Sequence, residues 1–308
     1  MSCSTRLRIF LCAVLLSVVF FPQCETARAG LSDLAEGIGN SLGQVLPGKV
    51  GSAVRVATAF GRSFQDITPE QEYYIGRAVA ANILTVYRVK ADERLNLYVN
   101  TLGQTLAQAS DRPDTFGGYH FLVLDSTEIN AFAAPGGLIF VTTGMIGLCK
   151  NEDELAAVLA HEISHVVGKH GLKAIKNSRL TGAFAVMASE ASNNYGSPGM
   201  RKLTAAFGQS VTDITTTMMK TGYSRSLERE ADRGAVTILE RVGYSPRALS
   251  DMLGEMKKRL KPGGLDFAKT HPDPMVRIAD ISPLVKGWPG PAFSAPRQRR
   301  FQTALASL

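Results

Sequence analysis

Three histidines and one glutamate lie within ten residues of this 308-residue chain, in the stretch HEISHVVGKH from His161 to His170. In a helix, His161 and His165 would lie about 40° apart on one face, because a helix turns about 100° per residue, and both could bind one metal ion. Glu162 would reach the edge of that site without being a ligand, which is where a general base for an activated water must lie. The stretch predicts a catalytic zinc site; the alternatives are a chance match and a structural zinc.

The third ligand does not follow from the stretch itself. The metzincin pattern HExxHxxGxxH requires a histidine at position 171, but that residue is Gly171, and His170 comes one residue early. On a continuous helix His170 would lie about 140° around from His165, on the wrong face. We therefore expect His170 to have a structural or capping role at the C-terminal end of the helix, where a cation is favoured.

A second acidic stretch, SRSLEREADRGAV at 224–236, offers a carboxylate ligand. Glu228 and Asp232 share one helix face, whereas Glu230 points about 200° away from Glu228. Glu228 could bind the metal, and Asp232 could accept a hydrogen bond from the free N–H of a ligating histidine. A solvated acidic helix face explains the same residues equally well, and the pattern alone leaves both interpretations open.

The surrounding sequence predicts the elements that would position these residues. Asn151 is a candidate N-cap for the helix that carries the motif, with Glu154 at the capping-box position, and Thr68 with Gln71 forms a similar box for an earlier helix. We predict two paired strands, at 119–125 and 138–144, separated by the break NAFAAPGG. Further helices are predicted at 69–89, 92–110, 225–242, within 243–260, and at 275–281.

The N-terminus predicts export. Residues 1–29 have a basic start, an apolar run of 13 residues and an A-x-A site, as a cleaved signal peptide does. Cleavage would lower the formal net charge from +7 to +5 and leave Cys149 as the sole cysteine, which we interpret as a buried apolar residue. No basic stripe interleaved with aromatic residues indicates nucleic-acid binding.

The rest of the chain divides into three predicted parts. Residues 30–65 form an N-terminal arm, and residues 66–285 form the zinc metallopeptidase domain. Residues 286–308 form a Pro-rich basic tail, which we expect to be solvated; its arginines could instead contact an anionic surface. The turn-rich stretch SNNYGSPG, within 172–222, is a candidate lid.

Three motifs in this order, NAFAAPGGLIFVTTGMI, ELAAVLAHEISHVVGKH and SRSLEREADRGAV, resemble the gluzincin family of HtpX and the CAAX prenyl protease. The chain is most similar to the soluble periplasmic branch of that family, which includes BepA and LoiP, and the similarity spans about residues 66–281. It implies an α+β, mostly helical zincin-like domain, with a small β-sheet beside the HExxH helix. We expect neither the transmembrane helices nor the C-terminal tetratricopeptide domain that some members of the family have.

The resemblance also implies roles for individual residues. It makes His161, His165 and Glu228 the ligands of one Zn²⁺ per chain, Glu162 the general base and Asp232 a supporting carboxylate. Three further candidates for the active site come from the family's motifs: His271 of THPDP, Asn130 of NAFAAPGG and Arg277 of PMVRI.

Together these features predict an exported zinc endopeptidase of the periplasm or the secreted fraction. We expect it to act on unfolded or misassembled envelope polypeptides, which would add as a strand to 138–143 if that strand lies at the sheet edge. Peripheral contacts with a membrane or with outer-membrane proteins are compatible with the sequence, and the oligomeric state is open. The competing interpretation is a latent or chaperone-like assembly factor with a closed zinc site, in which His271 or a lid residue is a fourth ligand.

Overall fold

The computed structural model describes residues 67–174, 208–259, 270–288 and 294–308. The predicted signal peptide, the arm at 30–65 and the SNNYGSPG stretch lie outside the described residues. Within the described part of the chain, no helix combines the length and the apolar character that a membrane crossing requires.

Two helices, α1 (Pro69–Val86) and α2 (Glu93–Gln108), precede the sheet. The predicted capping box of α1 is present: the Thr68 side chain accepts from the amide of Gln71, whose side chain accepts from the amide of Thr68. Asp92 caps α2 in a similar way, through the amide of Leu95. Both helices begin where the sequence predicts, because these caps are local signals.

The sheet has three strands, β1 (His120–Leu124), β2 (Ala131–Ala134) and β3 (Leu138–Thr142), in the order β1-β3-β2. The predicted pairing of β1 with β3 is confirmed, and it is parallel. The prediction that NAFAAPGG is only a break is wrong, because residues 131–134 form β2, antiparallel to β3. β3 is consequently the central strand, so the condition stated for strand addition to it, a position at the sheet edge, is not met.

The strands sort their side chains into two hydrophobic clusters by simple alternation. One cluster lies against α2 and the later helices, and it includes Phe121, Val123, Ala131, Ala133, Ile139 and Val141. The other lies against α1, and it includes Leu124, Phe132, Ala134 and Phe140. Because both faces are covered, the short sheet is rigid enough to align the helix that follows it.

The turn between β2 and β3, Pro135–Gly137, is held in place by a side chain of α1. Glu72 of α1 is fully buried; its carboxylate accepts from the amide of Gly136 at 3.2 Å and forms a two-pronged ion pair with Arg112, at 2.8 and 2.9 Å. Gly136 has φ +78°, a conformation that glycine adopts readily. The turn therefore depends on a buried carboxylate that satisfies its backbone.

The short helix α3 (Thr143–Leu148) leads into α4 (Glu152–Val167), which carries the HExxH motif, and then into α5 (His170–Lys173). Asn151 caps α4 as predicted, accepting from the amide of Glu154. Glu154 does not complete a reciprocal box, because its carboxylate accepts from the amide of Lys150 instead. The helix is buried along nearly its whole length, which fixes the orientation of its histidines.

After the gap, residues 208–216 form the described part of α6, which ends in a π-helical turn at Thr217–Thr221. Three longer helices follow: α7 (Arg225–Val242), α8 (Arg247–Arg259) and α9 (Pro274–Val285). α7 lies very close to α4, since a methyl group placed on Gly234 would be only 2.6 Å from Ser164 Oγ. This close approach brings the acidic residues of α7 up to the histidines of α4.

The sequence suggested a solvated C-terminal tail, and the structure corrects this prediction. Residues Ala295–Ala304 form α10, whose Phe301 and Ala304 are buried in the same cluster as α2 and α4. Arg300 donates to the buried carboxylate of Glu152, at 2.5 and 3.2 Å, and Arg297 lies over the ring of Tyr244 at 4.1 Å. The prediction failed because most of these contacts join residues far apart in the chain.

Candidate metal centre

Four buried side chains converge between α4, α7 and the segment before α9. They are His161 and His165 from α4, Glu228 from the first turn of α7, and His271; one potential ligand atom from each lies within 4.8 Å of the others. The structure thus brings together the three residues proposed as ligands and adds His271 to them. Asp232, one turn after Glu228, lies behind this group, not within it.

The distances between these atoms fit a single small ion. The Nε2 atoms of His161 and His165 are 3.1 Å apart, and they lie 3.6 and 3.5 Å from the two carboxylate oxygens of Glu228. Tetrahedral zinc with bonds of about 2.0–2.1 Å separates its ligands by roughly 3.3 Å. Two imidazole nitrogens and a carboxylate oxygen are also a donor set that zinc accepts.

Unsatisfied carboxylate oxygens support the same assignment. Among the described residues, Glu162 Oε1 and Glu228 Oε1 are buried without a hydrogen-bond partner from the protein. Leaving a buried carboxylate oxygen unpaired is costly, and such atoms occur mainly where a ligand or a function requires them. A cation beside Glu228 and a water or substrate beside Glu162 would satisfy both.

His161 is held from behind by Asp232 and Arg277. Its Nδ1 lies 3.0 Å from Asp232 Oδ1, and Arg277 forms a two-pronged ion pair with the same carboxylate at 2.6 and 3.0 Å. All three side chains are buried. A carboxylate that accepts from a ligating histidine fixes which nitrogen carries the proton, so that the other is available to the metal.

His271, from the THPDP stretch, belongs to the metal-binding group. Its Nδ1 lies 2.7 Å from Glu228 Oε2, and its ring centroid is 5.3 Å from that of His161. Pro272 and the N-cap Asp273 follow at once and begin α9, which also carries Arg277. One short segment therefore supplies both a fourth potential ligand and the cation that pairs with Asp232.

Asn130, also proposed as an active-site residue, lies at the start of β2. It is buried, and its Oδ1 accepts from the amide of Ala131 at 2.9 Å, while its backbone pairs with Thr142 of β3. Its side chain supports the strand and is not among the four grouped donors.

We predicted a structural or capping role for His170 at the end of the helix, and its contacts are those of a buried structural residue. α4 ends at Val167, Lys169 adopts a left-handed conformation (φ +52°), and a new helix begins at His170. The ring is fully buried, with its Nδ1 2.8 Å from Nδ1 of His165. The angle calculated for a continuous helix does not apply, because the helix is interrupted.

Tyr223 is a neighbour of the site that the sequence did not indicate. Its ring stacks on that of His165, with centroids 4.6 Å apart and planes inclined by 25°. Its position follows Gly222, where φ is +73° and an added methyl group would clash with the backbone of Thr270. The glycine before an aromatic residue is the signal that could have drawn attention to it.

The electrostatics distinguish the acidic residues. Burial raises the pKa of Glu162 to about 7, assisted by the negative charge of Glu228 and opposed by His161 and Arg277. Burial alone would raise the pKa of Glu228, but His271, His161 and Arg277 together lower it. Asp232 is buried too, yet Arg277 and His161 hold its pKa well below the usual range. Glu228 and Asp232 are thus carboxylates, whereas Glu162 can exchange a proton near neutral pH.

This fold and this site define a metalloprotease of the gluzincin type, with an α+β architecture as predicted. Residues 93–285 match peptidase family M48, and the chain therefore belongs to that family. The resemblance predicted from the three motifs is confirmed.

Individual relatives are similar over most of this chain. The Beta-barrel assembly-enhancing protease of Escherichia coli O157:H7 is 28% identical over 246 residues, 78% of this chain and 49% of its own. The protein of that name from Yersinia pestis is 29% identical over 218 residues, 68% of this chain and 42% of its own. The Mitochondrial metalloendopeptidase OMA1 of Schizosaccharomyces pombe is 28% identical over 225 residues, 71% of this chain and 63% of its own. The chain spans about half the length of the bacterial relatives.

Proposed function

We propose that this protein is a zinc-dependent endopeptidase that hydrolyses peptide bonds of unfolded or misassembled envelope proteins after export to the periplasm. The observation that carries the proposal is the buried group of His161, His165, Glu228 and His271. Glu162, on the helix of the two motif histidines, has one buried carboxylate oxygen, Oε1, without a hydrogen-bond partner. The names of the bacterial relatives, assembly-enhancing proteases, support an envelope substrate.

In this proposal, His161, His165 and Glu228 hold one Zn²⁺, and Asp232 with Arg277 keeps His161 oriented. The ion, when bound, supplies Lewis-acid chemistry, which polarises a carbonyl and acidifies water. Glu162 takes a proton from the attacking water and returns it to the leaving amine. A carboxylate beside the site can make both transfers, accepting the proton as a base and donating it as an acid.

The sheet supports a preference for extended polypeptides, through β2 and not through β3. The amide of Thr142 donates to the carbonyl of Asn130, so the backbone groups of Ala133 should point away from β3, as should those of Ala131, whose amide already donates to Asn130 Oδ1. An extended substrate could add as a strand along that edge, which lies next to the HExxH helix. Strand addition reads the backbone, so it would favour unfolded chains over a particular sequence.

Cleavage of an unfolded protein tests the proposal. Purified protein with one zinc per chain should cleave reduced casein, and a chelator such as 1,10-phenanthroline should stop it. Readdition of zinc should restore it. Absence of cleavage by zinc-loaded protein under all conditions would favour the second candidate.

That second candidate is a latent or chaperone-like assembly factor with a closed site, and His271 favours it. Its Nδ1 lies close enough to Glu228 to occupy the fourth metal position, which a catalytic zinc must keep open for water. His271→Ala separates the two: faster casein cleavage than wild type indicates a latent protease. If both proteins bind zinc and neither cleaves, the protein is an assembly factor.

A further inference from the structure

His165 and His161 are supported in different ways. His161 contacts a carboxylate directly, through Nδ1 and Asp232 at 3.0 Å. His165 instead has another imidazole behind it: its Nδ1 lies 2.8 Å from Nδ1 of His170. A hydrogen bond between two imidazoles requires one nitrogen to carry a proton and the other to present a lone pair.

The metal geometry decides which nitrogen is the donor. Nε2 of His165 faces the other ligands, 3.1 Å from His161 Nε2 and 3.5 Å from Glu228. Binding a metal through Nε2 requires its lone pair, so the proton of His165 is on Nδ1 and is donated to His170. His170 must then keep Nδ1 unprotonated and carry its own proton on Nε2. That Nε2 is buried and makes no hydrogen bond within the described part of the chain; Glu230 Oε2, 3.4 Å away, is close enough for a charge interaction only.

The backbone is shaped to bring His170 into this position. Lys169 is the one non-glycine residue with positive φ in the described part of the chain, and that conformation is disfavoured for a side-chain-bearing residue. Gly168 leaves space for the imidazole, since a methyl group there would lie 2.7 Å from His170 Cδ2 and closer still to Nε2. A left-handed residue just past a helix end is common, so the space at Gly168 is the feature that is specific to the imidazole.

We propose that His170 is a positioning residue, whose neutral imidazole fixes the tautomer and ring orientation of the metal ligand His165. It does for His165 what Asp232 does for His161. The inference rests on the metal site of the proposed function, but not on the substrate or on proteolysis.

Zinc affinity of paired variants tests this role. Asn at position 170 can place an amide oxygen near the position of Nδ1, whereas Leu fills a similar volume without an acceptor. His170→Leu should bind zinc 10–100-fold more weakly, as loss of such a supporting partner typically causes, and His170→Asn should recover most of the affinity. Competition with a chromophoric chelator measures both, and thermal unfolding of the metal-free proteins checks that each variant folds.

A measurement on the wild type covers the case in which a variant does not fold. With ¹⁵N-labelled histidine and bound zinc, long-range NMR correlations should show His165 protonated at Nδ1 and His170 protonated at Nε2. A proton on Nδ1 of His170 would overturn the inference, as would equal zinc affinity of His170→Leu and wild type. Equal weakening by Leu and Asn would also overturn it, because packing would then explain the effect. Failure of wild type to bind zinc would instead refute the proposed function.

Discussion

Replacing Phe301 in α10 by alanine should destabilise the whole domain, although the residue is only seven positions before the last residue, Leu308. The Phe301 side chain is 4% exposed and belongs to the cluster that includes α2 and α4. Large-to-small changes at buried phenylalanines cost about 3–5 kcal/mol. Because a terminal helix can detach locally, which limits the loss, we expect about 3 kcal/mol, the lower end of that range.

The assay is thermal and urea unfolding of the purified chain. A loss of about 3 kcal/mol in a domain of this size corresponds to a decrease in Tm of roughly 6–12 °C. Gln302→Ala is the matched control, since Gln302 is exposed on the same helix and should change stability by less than about 0.5 kcal/mol. If Phe301→Ala behaves like the control, α10 is not docked and the solvated-tail interpretation was right.

Three further predictions concern stability and reactivity. Arg300→Ala should lower the free energy of unfolding in urea by about 1–2 kcal/mol, because it removes a half-exposed partner of the buried Glu152 carboxylate. Arg299→Ala, at an exposed position on the same helix, should be neutral, and equal effects of the two variants would exclude a specific pair. Burial raises the pKa of Tyr119 to about 12, so the folded state keeps a proton that the unfolded state loses near pH 10. The free energy of unfolding should therefore fall as pH rises from about 10 to 12, and urea unfolding of Tyr119→Phe should show a shallower fall. Burial also raises the pKa of Cys149. In protein without residues 1–29, which contain the other three cysteines, Cys149 should resist a thiol reagent such as DTNB until denaturant is added, and prompt reaction of the native protein would contradict its position.

The parts of the site that the sequence predicted are those set by local periodicity. Spacing within one helix is enough to place His161 and His165 together and Glu162 beside them. The N-caps at Thr68 and Asn151 are local too, and both are present. Joining Glu228 to these histidines needed more than spacing, because it depends on the close approach of α7 to α4.

The failures come from long-range structure or from unsignalled turns. β2 is four residues long and three of the four are alanine, so Phe132 alone has the branched or aromatic character that marks a strand. The position of His170 depends on the left-handed backbone conformation of Lys169, which the sequence does not indicate. The docking of α10 depends on Glu152, a carboxylate 148 positions away whose burial only the fold reveals.

The central claim is that Glu162 performs proton transfer beside a zinc ion held by His161, His165 and Glu228. The most direct test is the Glu162→Gln variant, measured for zinc content and for cleavage of reduced casein, with Glu240→Gln, an exposed position on α7, as the control. Glu162→Gln should keep one zinc per chain and lose about 10²–10⁴-fold in cleavage rate, and the control should retain both. Full cleavage by zinc-loaded Glu162→Gln would contradict the account.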